Sequence, residues 1–319
     1  MFFNEDTRVK IPSILHLCRL GYKYISLSKT NREESTNIFT DIFIESICKI
    51  NPDINKQEVK ELIQTISLKL DSEDLGKDFY KMLTSNSGIK LIDFNDINNN
   101  SFHVVTELIY KNGEDEFRPD ITLLINGMPL VFIEVKKPNN KEGIIAEKDR
   151  INVRFKNKKF RKFINISQIL VFSNNMEYDF ESIEPIQGAF YSTISYKNAD
   201  FNYFREEDTF DLSKLLKDYD ESLENIVLKD NILLSIKDSS EFKTNKNPEK
   251  PTNRLITSLF NKERLFMLLK YGIAYVNTEM GLEKHIMRYP QFFATKAIEE
   301  TLEKGIKKGI IWHTQGSGK

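Results

Sequence analysis

Three residues raise the first chemical question. Asp120, Glu134 and Lys136 lie within RPDITLLINGMPLVFIEVKKP, two carboxylates and an ammonium set among apolar flanks. Two carboxylates suit a hard divalent cation such as Mg²⁺, which keeps several of its waters and also takes phosphate oxygens. A cation held there lowers the pKa of bound water and neutralises charge on a phosphodiester. A nearby lysine can orient or help deprotonate that water and stabilise the pentavalent phosphate. The trio is sufficient apparatus for phosphodiester hydrolysis. The competing reading is a hairpin with cross-strand salt bridges, worth a few tenths to about 1 kcal/mol. The apolar flanks favour chemistry, because a charged trio in that setting is expensive unless it has a task.

The elements that must position the trio follow from its spacing. Residues 120–125 and 130–136 read as strands, and Asn126-Gly127 between them is a strong turn signal. A two-residue turn puts Asp120 opposite Ile133; a four-residue loop puts it opposite Val135. Either register brings Asp120 beside Glu134. Side chains alternate along a strand, so Glu134 and Lys136 share one face while Ile133 and Val135 point to the other. Further strands are expected at 88–94, 101–110, 168–173 and near 187–195. Helices are expected at 9–20, 35–50, 55–70 and 73–84, and from about Glu142.

A second constellation follows the first. Residues 148–163, KDRINVRFKNKKFRKF, hold eight Lys or Arg and one acid, with Phe155, Phe160 and Phe163 interleaved. Such clusters contact nucleic-acid phosphates without reading bases. Arg150, Arg154, Lys156, Lys158, Lys159, Arg161 and Lys162 are the candidate DNA contacts. The alternative is a solvated helix face with a few core phenylalanines.

The third constellation is HTQGSGK at the C-terminus, after the apolar GIIW. Glycines let a backbone wrap a phosphate, and a lysine reaches its oxygens. Gly316, Ser317, Gly318 and Lys319 are the candidate nucleotide contacts, fed by an expected buried strand. His313 stands where the strict motif has its first glycine.

Composition bounds the rest. The chain has 319 residues, enough for about two domains. Lys and Arg number 46 against 47 Asp and Glu, so any basic surface must be local. Two cysteines exclude a disulfide scaffold and fit a reducing compartment. The polar N-terminus and the lack of a long apolar run point to a cytoplasmic protein, with no export and no membrane partner.

RPDITLLINGMPLVFIEVKKP resembles the PD-(D/E)xK nuclease core of the restriction subunit of type I restriction–modification enzymes. The resemblance implies an α/β fold, a mixed sheet flanked by helices. It implies that Asp120 and Glu134 are metal ligands for Mg²⁺, with Mn²⁺ as a substitute, and that Lys136 is the catalytic lysine. It also implies double-stranded DNA as substrate and modification and specificity subunits as partners. Nucleases of this kind often carry a following Q-x-x-x-Y element; here the corresponding stretch offers Glu147, Arg150 and Arg154. IIWHTQGSGK is similar to the first ATP-binding motif of the family's motor, and RYPQFFATKAI to the segment before it, which implies that Gln291 contacts adenine. On this basis residues 1–236 are expected to form the nuclease domain with N-terminal helices. Residues 237–254 are a linker or surface loop. Residues 255–319 are the helical lead-in and P-loop of an incomplete, RecA-like ATPase domain. ATP serves the intact family enzyme and is not expected to bind this chain, and residues from about 240 onward are expected to be less stable. The function so implied is a Mg²⁺-dependent endodeoxyribonuclease module; a non-catalytic DNA-binding or assembly fragment is the alternative.

Overall fold

The computed structural model describes residues 5–136, 143–173, 189–194 and 198–312. The chain is a mixed α/β protein built on a mixed sheet. Its strands are β1 (Lys23–Tyr24), β2 (Phe102–Thr106), β3 (Tyr110–Asn112), β4 (Asp115–Phe117), β5 (Ile121–Ile125), β6 (Met128–Val135), β7 (Ile169–Ser173), β8 (Ala189–Ile194), β9 (Asn198–Tyr203), β10 (Ile273–Thr278) and β11 (Gly281–Ile286). The main sheet runs β1-β2-β5-β6-β7-β8-β11-β10, with β9 also on β8; β3 and β4 form a separate hairpin. The pairs β1–β2 and β6–β7 are parallel and the others antiparallel.

The expected strands at 101–110, 120–125, 130–136, 168–173 and 187–195 correspond to β2 with the start of β3, then β5, β6, β7 and β8. Residues 88–94 form no strand. Their buried Leu91 and Ile92 lie instead under the β5–β6 turn, where Asn126 Nδ2 donates to the Leu91 carbonyl at 2.9 Å.

That turn sets the centre of the sheet. Asn126 (φ 51°) and Gly127 (φ 78°) both occupy the left-handed region, as a two-residue primed hairpin turn requires. Asn126 is fully buried. Its Nδ2 also donates to Asn100 Oδ1 at 2.9 Å, and its Oδ1 accepts the Ser101 amide at 2.8 Å. A Cβ on Gly127 would lie 2.7 Å from the Phe39 carbonyl, so only glycine fits. Ile125 pairs with Met128 and Leu124 with Pro129, as a two-residue turn dictates. Leu123 then pairs with Val131, leaving Leu130 as an extra residue. Proline is tolerated in a strand at such a bulge.

The sheet is buried on both sides. Ile121, Leu123, Val131, Ile133, Val135 and Val171 join the larger core, with α1 (Ile11–Arg19), α2 (Thr40–Ile50), α3 (Lys56–Lys69) and α4 (Lys77–Thr84). Leu124, Phe132, Leu170 and Phe172 point to the other side. Helices α5 (Gly143–Lys156) and α6 (Arg161–Ile166) occupy the crossover between the parallel strands β6 and β7, the length such a connection demands. They supply Ile151, Phe155, Phe163 and Ile164 to this second core. Phe117 and Phe163 meet edge to face at 4.7 Å, as do Phe117 and Phe160 at 4.8 Å. The interleaved phenylalanines of the basic stretch are therefore core residues.

Beyond β9, α7 (Leu212–Leu215) and α8 (Glu221–Asp230) lead into the C-terminal third, which departs most from the sequence-based expectation. The polar stretch 237–254 holds α9 (Ser240–Asn245), whose Phe242 is fully buried, and the start of α10 (Pro251–Phe260). Helix α10 packs on α1, and buried His16 Nε2 lies 2.6 Å from Thr257 Oγ1. After α11 (Lys262–Tyr271), residues 273–286 form the β10–β11 hairpin, which extends the sheet through Glu283 and Lys284, rather than continuing as helix. After α12 (Tyr289–Glu303), residues 309–312 form no strand. Ile310 and Trp312 are 91% and 90% exposed, so the expected buried strand is absent. Residues 313–319, with the glycine loop, lie outside the described residues. No helix among the described residues is long and apolar enough to cross a membrane.

Candidate active site

Asp120 directly precedes β5 and Glu134 is the penultimate residue of β6. The bulge at Leu130 advances the pairing by one residue, so Ile121 faces Ile133. Continuing that register places Asp120 across from Glu134, between the two registers that turn length alone suggests. The Val135 amide donates to Asp120 Oδ2 at 2.8 Å, which fixes the aspartate at the mouth of the hairpin. By alternation Glu134 and Lys136 follow Phe132 on the side covered by α5 and α6.

The three sequence-predicted residues meet. Lys136 Nζ lies 2.8 Å from Glu134 Oε1 and 4.0 Å from Asp120 Oδ2. Two acids that the trio reading did not include join them. Glu147 of α5 brings its Oε1 to 3.5 Å from Lys136 Nζ, and Glu5 reaches 4.0 Å. Glu147 is 0% exposed and also pairs with Arg150. Its sequence signal was available: positions 147, 151 and 155 recur at helical spacing, and Ile151 and Phe155 are core residues. Glu5 had no comparable signal.

The electrostatics are those of a crowded acidic site. Burial, then repulsion from Glu134, pushes the Asp120 carboxyl up to about 7. Burial likewise raises Glu134, with Glu147 adding repulsion against the attraction of Lys136. Burial works to lower the Lys136 pKa, but Glu134, Asp120 and Glu147 outweigh it and keep the ammonium charged above its ordinary range. Oε2 of Glu134 and Oε2 of Glu147 are buried and accept no hydrogen bond. Buried polar atoms without partners are rare and costly, so these two call for an explanation. A divalent cation supplies one for Glu134: an oxygen that no protein donor satisfies is free to bind metal. Among the described residues no group of three or more acid, histidine or cysteine side chains comes together as a ready-made metal set. A pair of carboxylates completed by water is the donor set that Mg²⁺ accepts.

The basic stretch splits in two. Arg150 is exposed above Glu147, and Lys156 is exposed near the end of α5. The Arg154 guanidinium lies 4.5 Å over the Phe117 ring, its Nη1 buried without a partner. The other four candidate contacts, like Arg150, are paired with acids. Lys158 lies 3.5 Å from Glu73, Lys159 3.2 Å from Asp115, and Lys162 3.4 Å from Asp71; Arg161 also pairs with Glu73. Gln291 caps its own helix, accepting the Arg288 amide at 3.0 Å.

The family model described as type I restriction enzyme R protein N terminus matches residues 2–182, more than half of the chain, including the whole β5–β6 hairpin and α5. The chain belongs to this family. A Methanocaldococcus jannaschii protein provisionally named the type I restriction enzyme MjaIXP endonuclease subunit is 28% identical over 352 aligned residues, covering 99% of this chain and 30% of that protein. The type I restriction enzyme HindI endonuclease subunit of Haemophilus influenzae is 23% identical, covering 88% of this chain and 25% of its own length. The chain thus spans less than a third of these relatives' length. What it shares with them includes the family's N-terminal region, the part that carries the acidic hairpin.

Proposed function

We propose that this chain is the nuclease part of a type I restriction R subunit, hydrolysing phosphodiesters of double-stranded DNA with a divalent cation, Mg²⁺ or Mn²⁺ in its place. The observation that carries the proposal is the buried convergence of Asp120, Glu134 and Lys136 at the mouth of one hairpin, in a PD-(D/E)xK arrangement. Asp120 and Glu134 would hold the cation, which when bound supplies a more acidic water and neutralises phosphate charge. The rest falls to the chain. The Val135 amide keeps Asp120 in place. Lys136 presents an ammonium that can donate to a phosphate oxygen or orient the attacking water. Arg154, with a donor to spare, and exposed Arg150 and Lys156 can meet the phosphodiester backbone.

The packing of α10 on α1 and the joining of β10–β11 to the sheet support a nuclease unit that extends past residue 236, to residue 286. By the same reading, modification and specificity subunits are partners of the whole protein. ATP-driven movement likewise belongs to the whole protein, through Gln291 and Gly316–Lys319.

The test is Mn²⁺ titration of the chain, of Asp120→Ala and of Glu134→Ala, with nicking of supercoiled DNA scored on the same samples. Saturable binding lost in both variants, with nicking lost alongside it, is the expected result. Equal behaviour of three folded proteins would reduce the trio to a structural ion cluster and favour a non-catalytic DNA-binding or assembly module.

A further inference from the structure

We infer that Glu147 is a positioning residue: it holds Lys136 in the site once a divalent cation claims Glu134. The inference rests on the nuclease reading above.

Lys136 Nζ rests on Glu134 Oε1 at 2.8 Å. Glu134 is also the carboxylate that the cation needs. It cannot serve both partners equally, because a divalent charge at its oxygens repels the ammonium and weakens that bond. Lys136 then needs another anion, or it swings to water and is lost to the reaction. Asp120 is committed to the cation too. Glu5, 4.0 Å away, is partly exposed at the start of a short π-helical turn over Asp6–Lys10. Glu147 differs from both. It is fully buried and 3.5 Å from the ammonium, and its Oε2 accepts nothing.

The helix holds Glu147 stiffly. Ile151 and Phe155 anchor the same face of α5 in the second core, and Arg150 partly neutralises the carboxylate from the solvent side. A buried carboxylate oxygen without a hydrogen-bond partner is costly, and a receiving role accounts for that cost. Among the described residues Glu147 forms no three-acid metal set with Asp120 and Glu134, and the Mg²⁺ midpoint in the test below tells positioning from ligation.

The test follows Lys136 itself. The chain's lysines are ¹³C-methylated, which keeps their charge. The Lys136 resonance is assigned by its loss in Lys136→Arg and followed through a Mg²⁺ titration. In the parent, the resonance should shift with Mg²⁺ yet stay apart from the exposed lysines. In Glu147→Gln it should match the parent without Mg²⁺ and fall into the exposed-lysine envelope as Mg²⁺ saturates. The midpoint should change by less than about threefold, well below the roughly 10–100-fold that follows loss of a group supporting the metal. A Glu147→Gln resonance that stays apart in Mg²⁺ would overturn the inference while leaving the nuclease reading intact. So would one already collapsed without Mg²⁺, or a midpoint weakened tenfold or more. A parent Lys136 resonance as indifferent to Mg²⁺ as that of Asp120→Asn would defeat the nuclease reading, and the inference with it.

Discussion

Asp120 faces Glu134 because the β5–β6 ladder gains one residue at Leu130. Without that bulge the Asn126-Gly127 turn would set Asp120 against Ile133, on the opposite face of the sheet from Glu134. The bulge sets the carboxylates directly across the hairpin, so Glu134 makes the buried Asp120 still harder to ionise.

That crowding has a measurable sign. Asp120 titrates near 7 in the folded chain, against an ordinary value of 3.8. Between those values the folded protein holds a proton that the unfolded chain has released. The stability tied to that proton is full below about pH 4 and lost as pH rises through 7. Asp120→Asn cannot ionise and can still accept the Val135 amide. In EDTA at pH 8 it should therefore be more stable than the parent, by on the order of 1–3 kcal/mol, with the gain gone near pH 4. Thermal melts of both proteins across that range check this, and equal melting at pH 8 would contradict it.

The turn should matter as much to stability as the site does to chemistry. Asn126→Ala removes bonds to the Leu91 carbonyl, Asn100 and the Ser101 amide, leaving buried groups unpaired. A loss of about 2–4 kcal/mol is expected. Urea unfolding with an unchanged m-value would register it as a pure stability change.

The basic stretch gives a paired prediction about DNA. Lys158 is 82% exposed, so Lys158→Glu should leave the fold intact and lower the salt dependence of DNA binding by about one phosphate contact. Arg154→Glu should weaken DNA binding and also destabilise, since it loses the Phe117 stack and brings another acid toward Glu134. Salt slopes matching the parent in both variants would remove this stretch from the DNA interface.

Amide exchange tests the C-terminal packing. The sequence predicts weaker structure after about residue 240. However, Leu255, Ile256, Leu259 and Phe260 share one core with Ile11, Ile14 and Leu15. Helix α10 should exchange as slowly as α1, in the same cooperative unit. Thr257→Val, which leaves His16 without its partner, should cost about 1–3 kcal/mol and speed exchange in both helices.

Local chemistry is legible in the order of the residues. Asn-Gly between two apolar runs dictates a primed turn, because few residues accept a positive φ. Strand alternation then puts Glu134 and Lys136 on one face and Ile133 and Val135 on the other. These constraints act between neighbouring residues, so the local amino-acid order is enough to fix them. The bulge at Leu130 is hinted at only by a proline within a strand, and the register it imposes is fixed when the strands pair. Glu147 joins the site through the docking of α5 into the second core and against β9, a strand further along the chain. The β10–β11 hairpin reads as helix in the sequence because its decisive partner, β8, lies about ninety residues upstream. Such features emerge only when the elements assemble, because each depends on which surfaces meet, and burial is a property of pairs of elements.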